Sequence, residues 1–234
     1  MTDLNPLMPL EVLPHKLKQL TMGKLALADI KQVVQLQEEG VSEYPWLAVE
    51  DVELSSDEAT QLRFMQSKLT HEPTHLLNEA TIWSRAIYPL LLLAEQGDIR
   101  AWSEVPLAAE YPTFQVSGVA DGVLGKTLAG RMVAPYLVMV EAKRGLGGED
   151  PIPQLYGQLL AAAQINQAAQ AQETQQLFGC YTIADNWTFV KAIVSELDSE
   201  RPVLAVQYSQ EFSERFESVA ILKLLKRMVQ RRPT

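Results

Sequence analysis

The chain has one cysteine, Cys180, and three histidines in 234 residues. A single thiol closes no internal disulfide, and one Cys with His15, His71 and His75 cannot build the thiolate- and imidazole-rich set of a structural zinc site. Any metal must therefore be held by oxygen. Long hydrophobic runs are missing too: the longest candidate, residues 88–94, contains Pro89 and falls far short of the roughly 20 residues of a membrane span. No membrane partner is expected. Residues 1–14 carry no basic segment ahead of an apolar core, so no secretory signal is legible and a cytoplasmic location is expected. Glycine (12) and proline (13) are too sparse for a collagen-like or low-complexity chain.

Positive charge is also scarce. Twenty Lys and Arg stand against 29 Asp and Glu, and the net charge of −9 argues against generic adhesion to DNA or anionic lipid. The deficit is uneven: Lys223, Lys226, Arg227, Arg231 and Arg232 fall in residues 221–234 with no acid among them. Set apart from the total, they leave −14 on residues 1–220. What is present in quantity is apolar: 47% of the residues are hydrophobic, enough for one α/β domain with an appendage or two small domains.

Hydrophobic periodicity divides the chain near residue 70. Leu17, Leu20, Leu25, Leu27, Ile30, Val33, Val34 and Leu36 predict helix up to a break at Glu39-Gly40, and Ser55 to Glu58 opens a further short helix, so residues 1–70 read as a helical appendage. Leu76, Ala80, Trp83, Ile87, Leu90, Leu91 and Ala94 predict a helix kinked by Pro89. Residues 99–105 and 114–124 read as strands, and Tyr136 to Val140 as a strand buried on both faces. The Ala/Gln/Leu segment 151–172, opened by prolines, reads as a helix. A hairpin across Asp185-Asn186, a strand at 203–208 and an amphipathic helix at 211–232 complete residues 71–234.

Chemistry concentrates at the end of the buried run. Glu141 and Lys143 are two apart, hence on one face of a strand, and buried charge is costly unless paired or used. Asp121, 20 positions earlier on the preceding strand, comes beside Glu141 if the two strands form a hairpin. Two carboxylates suit a hard cation such as Mg²⁺ or Mn²⁺, which acidifies water and neutralises a scissile phosphate. An ammonium beside them orients the nucleophile or stabilises transition-state charge. A rival pattern overlaps Asp121: residues 120–127, Ala-Asp-Gly-Val-Leu-Gly-Lys-Thr, resemble a relaxed phosphate-binding loop, making a P-loop ATPase a remote alternative. Residues 128–135 leave little room for the helix such a loop must enter.

In this order of elements the chain resembles the PD-(D/E)XK nuclease superfamily. The resemblance implies an α/β restriction-endonuclease-like core of helix, three-stranded antiparallel meander, helix and further strands, with the helical appendage at its N-terminus. It implies that Asp121 and Glu141 are metal ligands and catalytic, that Lys143 is catalytic, and that Glu79, from the first helix, is an accessory ligand. Gln154, better placed than Gln158, matches the glutamine motif opening the second helix. Ala120 stands where the superfamily's name has proline. The implied function is Mg²⁺- or Mn²⁺-dependent hydrolysis of nucleic acid, DNA before RNA, and a homodimer would let one site per subunit cut two strands. The alternative is a non-catalytic nucleic-acid- or protein-binding domain on the same fold.

Overall fold

A computed structural model of the chain describes residues 17–230. The N-terminal part contains β1 (Lys18–Thr21), α1 (Leu27–Val33), β2 (Gln35–Val41) and α2 (Ser56–Leu69). Next come α3 (Glu79–Ile82), a π-helical turn over Trp83–Ile87, and α4 (Tyr88–Leu93). Three long strands, β3 (Ile99–Glu110), β4 (Phe114–Leu128) and β5 (Arg131–Lys143), precede α5 (Ile152–Ala169). β6 (Thr174–Ile183), β7 (Asn186–Ser195), β8 (Val203–Ser213) and α6 (Glu214–Gln230) close the described chain.

Eight strands make one mixed sheet in the order β1-β4-β5-β6-β7-β8-β2, with β3 paired to β4. β3, β4 and β5 form an antiparallel meander, and α5 carries the chain over to β6, which runs parallel to β5. Helices cover both faces. On one, Ile30 and Val33 of α1 and Leu155, Leu159 and Ala163 of α5 pack on Val123, Met139 and Val190. On the other, Leu62 of α2, Leu90 of α4 and Ile221 and Leu225 of α6 pack on Leu124, Val138, Val140 and Phe189. A central strand covered on both sides must be apolar on both, and residues 137–142 of β5 are buried without interruption.

The helix starts are chemically specified. Ser55 and Glu58 form a reciprocal capping box on α2, with Ser55 N–H donating to Glu58 at 2.7 Å and Glu58 N–H to Ser55 Oγ at 3.2 Å. At α5, Ile152 N–H donates to Asp150 Oδ1 at 3.0 Å, and Pro153 sits in the first turn, where a missing N–H costs nothing. The kink expected at Pro89 is realised one turn earlier, as the widened π turn. Within that turn lies Arg85, whose carbonyl the proline ring would strike in a regular helix.

Three expectations are corrected, and the remote phosphate-loop alternative is set aside. Residues 17–36 are not one helix, and the described part of the appendage is not a separate body. β1 pairs parallel with β4 and β2 parallel with β8, while Leu20, Met22, Ile30, Val33 and Val34 share a core with α5. Residues 120–127 are no phosphate-binding loop: they lie inside β4, paired to β3 and β5, and lead into another strand. The final helix begins at Glu214, because residues 211–213 still belong to β8. Of the basic terminal cluster, Lys226 is ion-paired with Glu58 and Arg227 with Asp51, so these cations fasten α6 to the N-terminal segment; Arg231, Arg232 and His15 lie outside the described residues. Among the described residues no helix is long and apolar enough to cross a membrane.

Candidate functional site

Asp121, Glu141, Lys143 and Gln154 converge where β5 ends and α5 begins. The Gly122↔Val140 pairing of β4 with β5 sets Asp121 beside Glu141, and the Ala142 N–H donates to Asp121 Oδ2 at 2.7 Å. Glu141 is fully buried and Lys143 largely so; the Lys143 ammonium lies 2.5 Å from Glu141 Oε1 and donates to Gln154 Oε1 at 3.3 Å. Gln158, one helical turn after Gln154, is also fully buried and donates to Glu141 Oε2 at 2.5 Å. Both glutamines therefore serve the site, Gln154 through the lysine and Gln158 through the carboxylate.

An irregularity in the sheet aims Asp121. Ile99 and Ala101 of β3 pack on the α6 side, yet Val105 and Leu107, of the same parity, pack on the α5 side. β4 makes the matching switch: Ala120 belongs to the α5 side, whereas Gly122 lies under Trp83 and Leu91. The residues between the switch points are Glu104 and Asp121, and Glu104 adopts a left-handed conformation, φ +51°. Such conformations are costly for a side-chain-bearing residue and cluster where function requires a side chain to be re-aimed. Gly122 permits the arrangement, since a Cβ there would lie 2.5 Å from the Trp83 ring.

The result is a cavity of about 230 Å³ lined by Glu79, Ala80, Trp83, Ser103, Glu104, Asp121 and Ala142. Glu79 is exposed in the first turn of α3 and borders the same cavity as Asp121. Burial raises the Asp121 pKa, and the Glu79 and Glu104 charges add to the rise against the opposing Ala142 N–H and Lys143. Burial, then repulsion from Asp121, pushes Glu141 up to about 7 despite Lys143 and Gln158. Burial disfavours the Lys143 ammonium, but its contact with Glu141 and the Asp121 and Glu79 charges outweigh that and raise its pKa. The site is short of positive charge.

Among the described residues no three carboxylate, imidazole or thiolate side chains are grouped to hold an ion by themselves. Magnesium asks for less: one or two carboxylates, with waters and phosphate oxygens completing its octahedron. Asp121 and Glu141 supply two hard oxygen donors whose repulsion a cation relieves, so the residues fit Mg²⁺ or Mn²⁺ in donor chemistry.

Sequence reasoning missed Glu104. Glu104 is hidden because Ile99, Ala101, Val105 and Leu107 share one parity and read as one face despite Ser103 between them. Compared with known proteins, the chain matches no protein-family model and no curated protein sequence.

Proposed function

We propose that the protein is a Mg²⁺- or Mn²⁺-dependent nuclease that hydrolyses phosphodiester bonds of nucleic acid, DNA before RNA. The observation that carries this reading is the Glu141–Lys143–Gln154 contact chain, closed on its other side by Asp121. A buried carboxylate, a second acid and a held ammonium at one strand end have a ready use in phosphoryl chemistry. Helix, antiparallel meander, helix and parallel strand also follow in the order that the PD-(D/E)XK resemblance implies, which supports a restriction-endonuclease-like core.

On this reading Asp121 and Glu141 hold the cation. When bound, it supplies charge neutralisation at the scissile phosphate and a more acidic water. Water oxygen bonds to phosphorus and gives up a proton to solvent, the ester P–O bond breaks and its leaving oxygen takes a proton from solvent, and the products are a phosphate end and a hydroxyl end. Lys143 directs the attacking water and offsets the charge that builds on the phosphoryl oxygens. Gln154 fixes the ammonium, Gln158 fixes the Glu141 carboxylate, and Glu79 is the accessory acid.

The test is cleavage of labelled single-stranded, duplex and branched DNA and of RNA with either metal, comparing wild type with Glu141→Ala and Lys143→Ala. Wild type is expected to cut and each variant to lose at least roughly 10²–10³-fold. No cutting of any polymer, with no Glu141-dependent metal binding by calorimetry, sinks the reading. It would favour instead a binding domain on this fold, to which the acidic balance of the chain is no obstacle when the partner is a protein.

A further inference from the structure

Resting on the nuclease reading, we propose that the site takes an unpaired nucleic-acid strand and grips it by its bases rather than by its phosphates. Two cavities flank the end of β5. The first, beside Ala142, holds Trp83 together with the acids Glu79, Glu104 and Asp121. The second, about 460 Å³, opens beside Gly145 and is bordered by Leu146, Ile183 and Phe216. Phe216 is 80% exposed, Leu146 64% and Ile183 40%. Large apolar side chains so exposed and gathered around one hollow are a contact surface.

Position ties this surface to the chemistry. Ile183 is the direct β6 neighbour of Lys143, and the Ala184 N–H donates to the Lys143 carbonyl at 2.9 Å, so the apolar patch begins one strand away from the ammonium. The patch is also preformed. Leu146 N–H donates to the His75 carbonyl at 3.1 Å, and a Cβ on Gly145 would lie 2.6 Å from His75 Cα, so the loop after Lys143 is locked against the turn at 74–76.

Charge selects the occupant. Among the described residues lining the two cavities, the only lysine or arginine is Arg215, and it is held by Asp185 at 2.7 Å and by Thr74. Lys143, paired with Glu141, serves the reacting phosphate alone, and Lys226 and Arg227 are paired with Glu58 and Asp51. Duplexes are held through phosphate contacts from many free cations, whereas beside this surface the exposed Arg144, which donates to the Gly147 carbonyl at 3.2 Å, is a single one. An unpaired strand presents its bases, whose faces stack on aromatic and apolar side chains whatever the sequence. A base on the Phe216 side and another on the Trp83 side place the intervening phosphate at the carboxylates.

The experiment uses the full chain with Mg²⁺, a labelled 20-nucleotide DNA strand, and the same strand annealed to its complement. Cleavage and anisotropy binding are read for wild type, Phe216→Ala and Phe216→Trp across a salt series. The single strand is expected to be preferred at least about tenfold. Phe216→Ala should raise KM roughly tenfold with kcat little changed, and Phe216→Trp should retain wild-type behaviour. The salt slope should correspond to no more than about two released counterions. Equal or better cutting of the duplex, a steep salt slope, or indifference to Phe216→Ala overturns the inference while leaving the nuclease reading intact. If no polymer is cut, the nuclease reading falls, and the base-stacking surface stands only if single-strand binding remains Phe216-dependent. A dimer that Phe216→Ala converts to monomer assigns the patch to a second copy and overturns the inference.

Discussion

Glu141 is completely buried, and what holds it in place decides whether it can act. Lys143 and Gln158 each approach one of its oxygens at 2.5 Å, while the Gln158 carbonyl oxygen has no partner of its own. Replacing Gln158 by leucine keeps the volume and removes the restraint on Glu141. Loss of a group that orients a metal ligand costs roughly 10–100-fold. Gln158→Leu is therefore expected to raise the magnesium concentration at half-maximal cleavage by that factor while circular dichroism shows an unchanged fold. A second buried acid lies away from the site. Glu214 is fully buried, accepts from Trp187 Nε1 at 2.9 Å and leaves Oε1 unpaired, and burial pushes its pKa up to about 8 from an ordinary 4.5. Above about pH 4.5 the unfolded chain releases this proton while the folded one keeps it until about pH 8. Stability therefore falls with rising pH across that window, at up to about 1.4 kcal/mol per pH unit. Glu214→Gln retains an acceptor for Trp187 and cannot ionise. Urea unfolding of the variant should lack this share of the pH dependence, and at pH 8 the variant should be the more stable protein. Equal slopes for the two proteins would show that Glu214 does not titrate in this way.

At the scale of elements, the paired face switch of β3 and β4 is what sets Asp121 into its cavity. Glu104 stores part of the cost as a left-handed conformation that glycine adopts freely. Glu104→Gly should stabilise the fold by about 1 kcal/mol, raising Tm by roughly 2–4 °C, whereas Glu104→Ala should not. Gly122→Ala should do the reverse, lowering stability by about 1–3 kcal/mol, because the new methyl meets the Trp83 ring 2.5 Å away. Both are read by thermal unfolding. The same strands mark how far the sequence could be read. The end of β5 was legible, because charged Glu141 and Lys143 break an apolar run that only a doubly covered strand explains. The helix kinked by Pro89 and the proline-opened α5 were legible for equally local reasons. β2 was not: in Gln-Leu-Gln-Glu-Glu-Gly-Val only Leu36 and Gly40 are even half-buried, and the strand owes its existence to pairing with β8. β1, four residues with one buried side chain, likewise exists only beside β4. Edge strands fixed by distant partners leave little trace in local periodicity. The involvement of Glu104 is invisible for another reason, since the apolar residues Ile99, Ala101, Val105 and Leu107 on either side share one parity and conceal the switch of face.

Across the whole molecule, an excess of acid surrounds a site built from acids. Asp121 lies between burial and the charges of Glu79 and Glu104, so its ionised form opposes folding at neutral pH, and Glu141 does the same more strongly. Asparagine at 121 still accepts from the Ala142 N–H but carries no charge. Asp121→Asn should therefore raise the Tm of the metal-free protein while abolishing cleavage, the trade of activity for stability expected where function maintains an unfavourable cluster. Divalent cation should act on wild type in the same direction by mass action. At a magnesium concentration 100 times Kd, binding to the folded state alone stabilises by about 2.7 kcal/mol, which for a chain of this length is roughly 5–10 °C in Tm. Asp121→Asn and Glu141→Gln should lose that increment, because each removes one of the two carboxylates. Thermal unfolding in EDTA and in Mg²⁺, with Ca²⁺ and matched ionic strength as controls, separates specific binding from screening of the overall charge of −9. A shift of the same size in wild type and both variants would mean that magnesium acts on the surface as a whole, and that the carboxylates at the end of β5 are not its ligands.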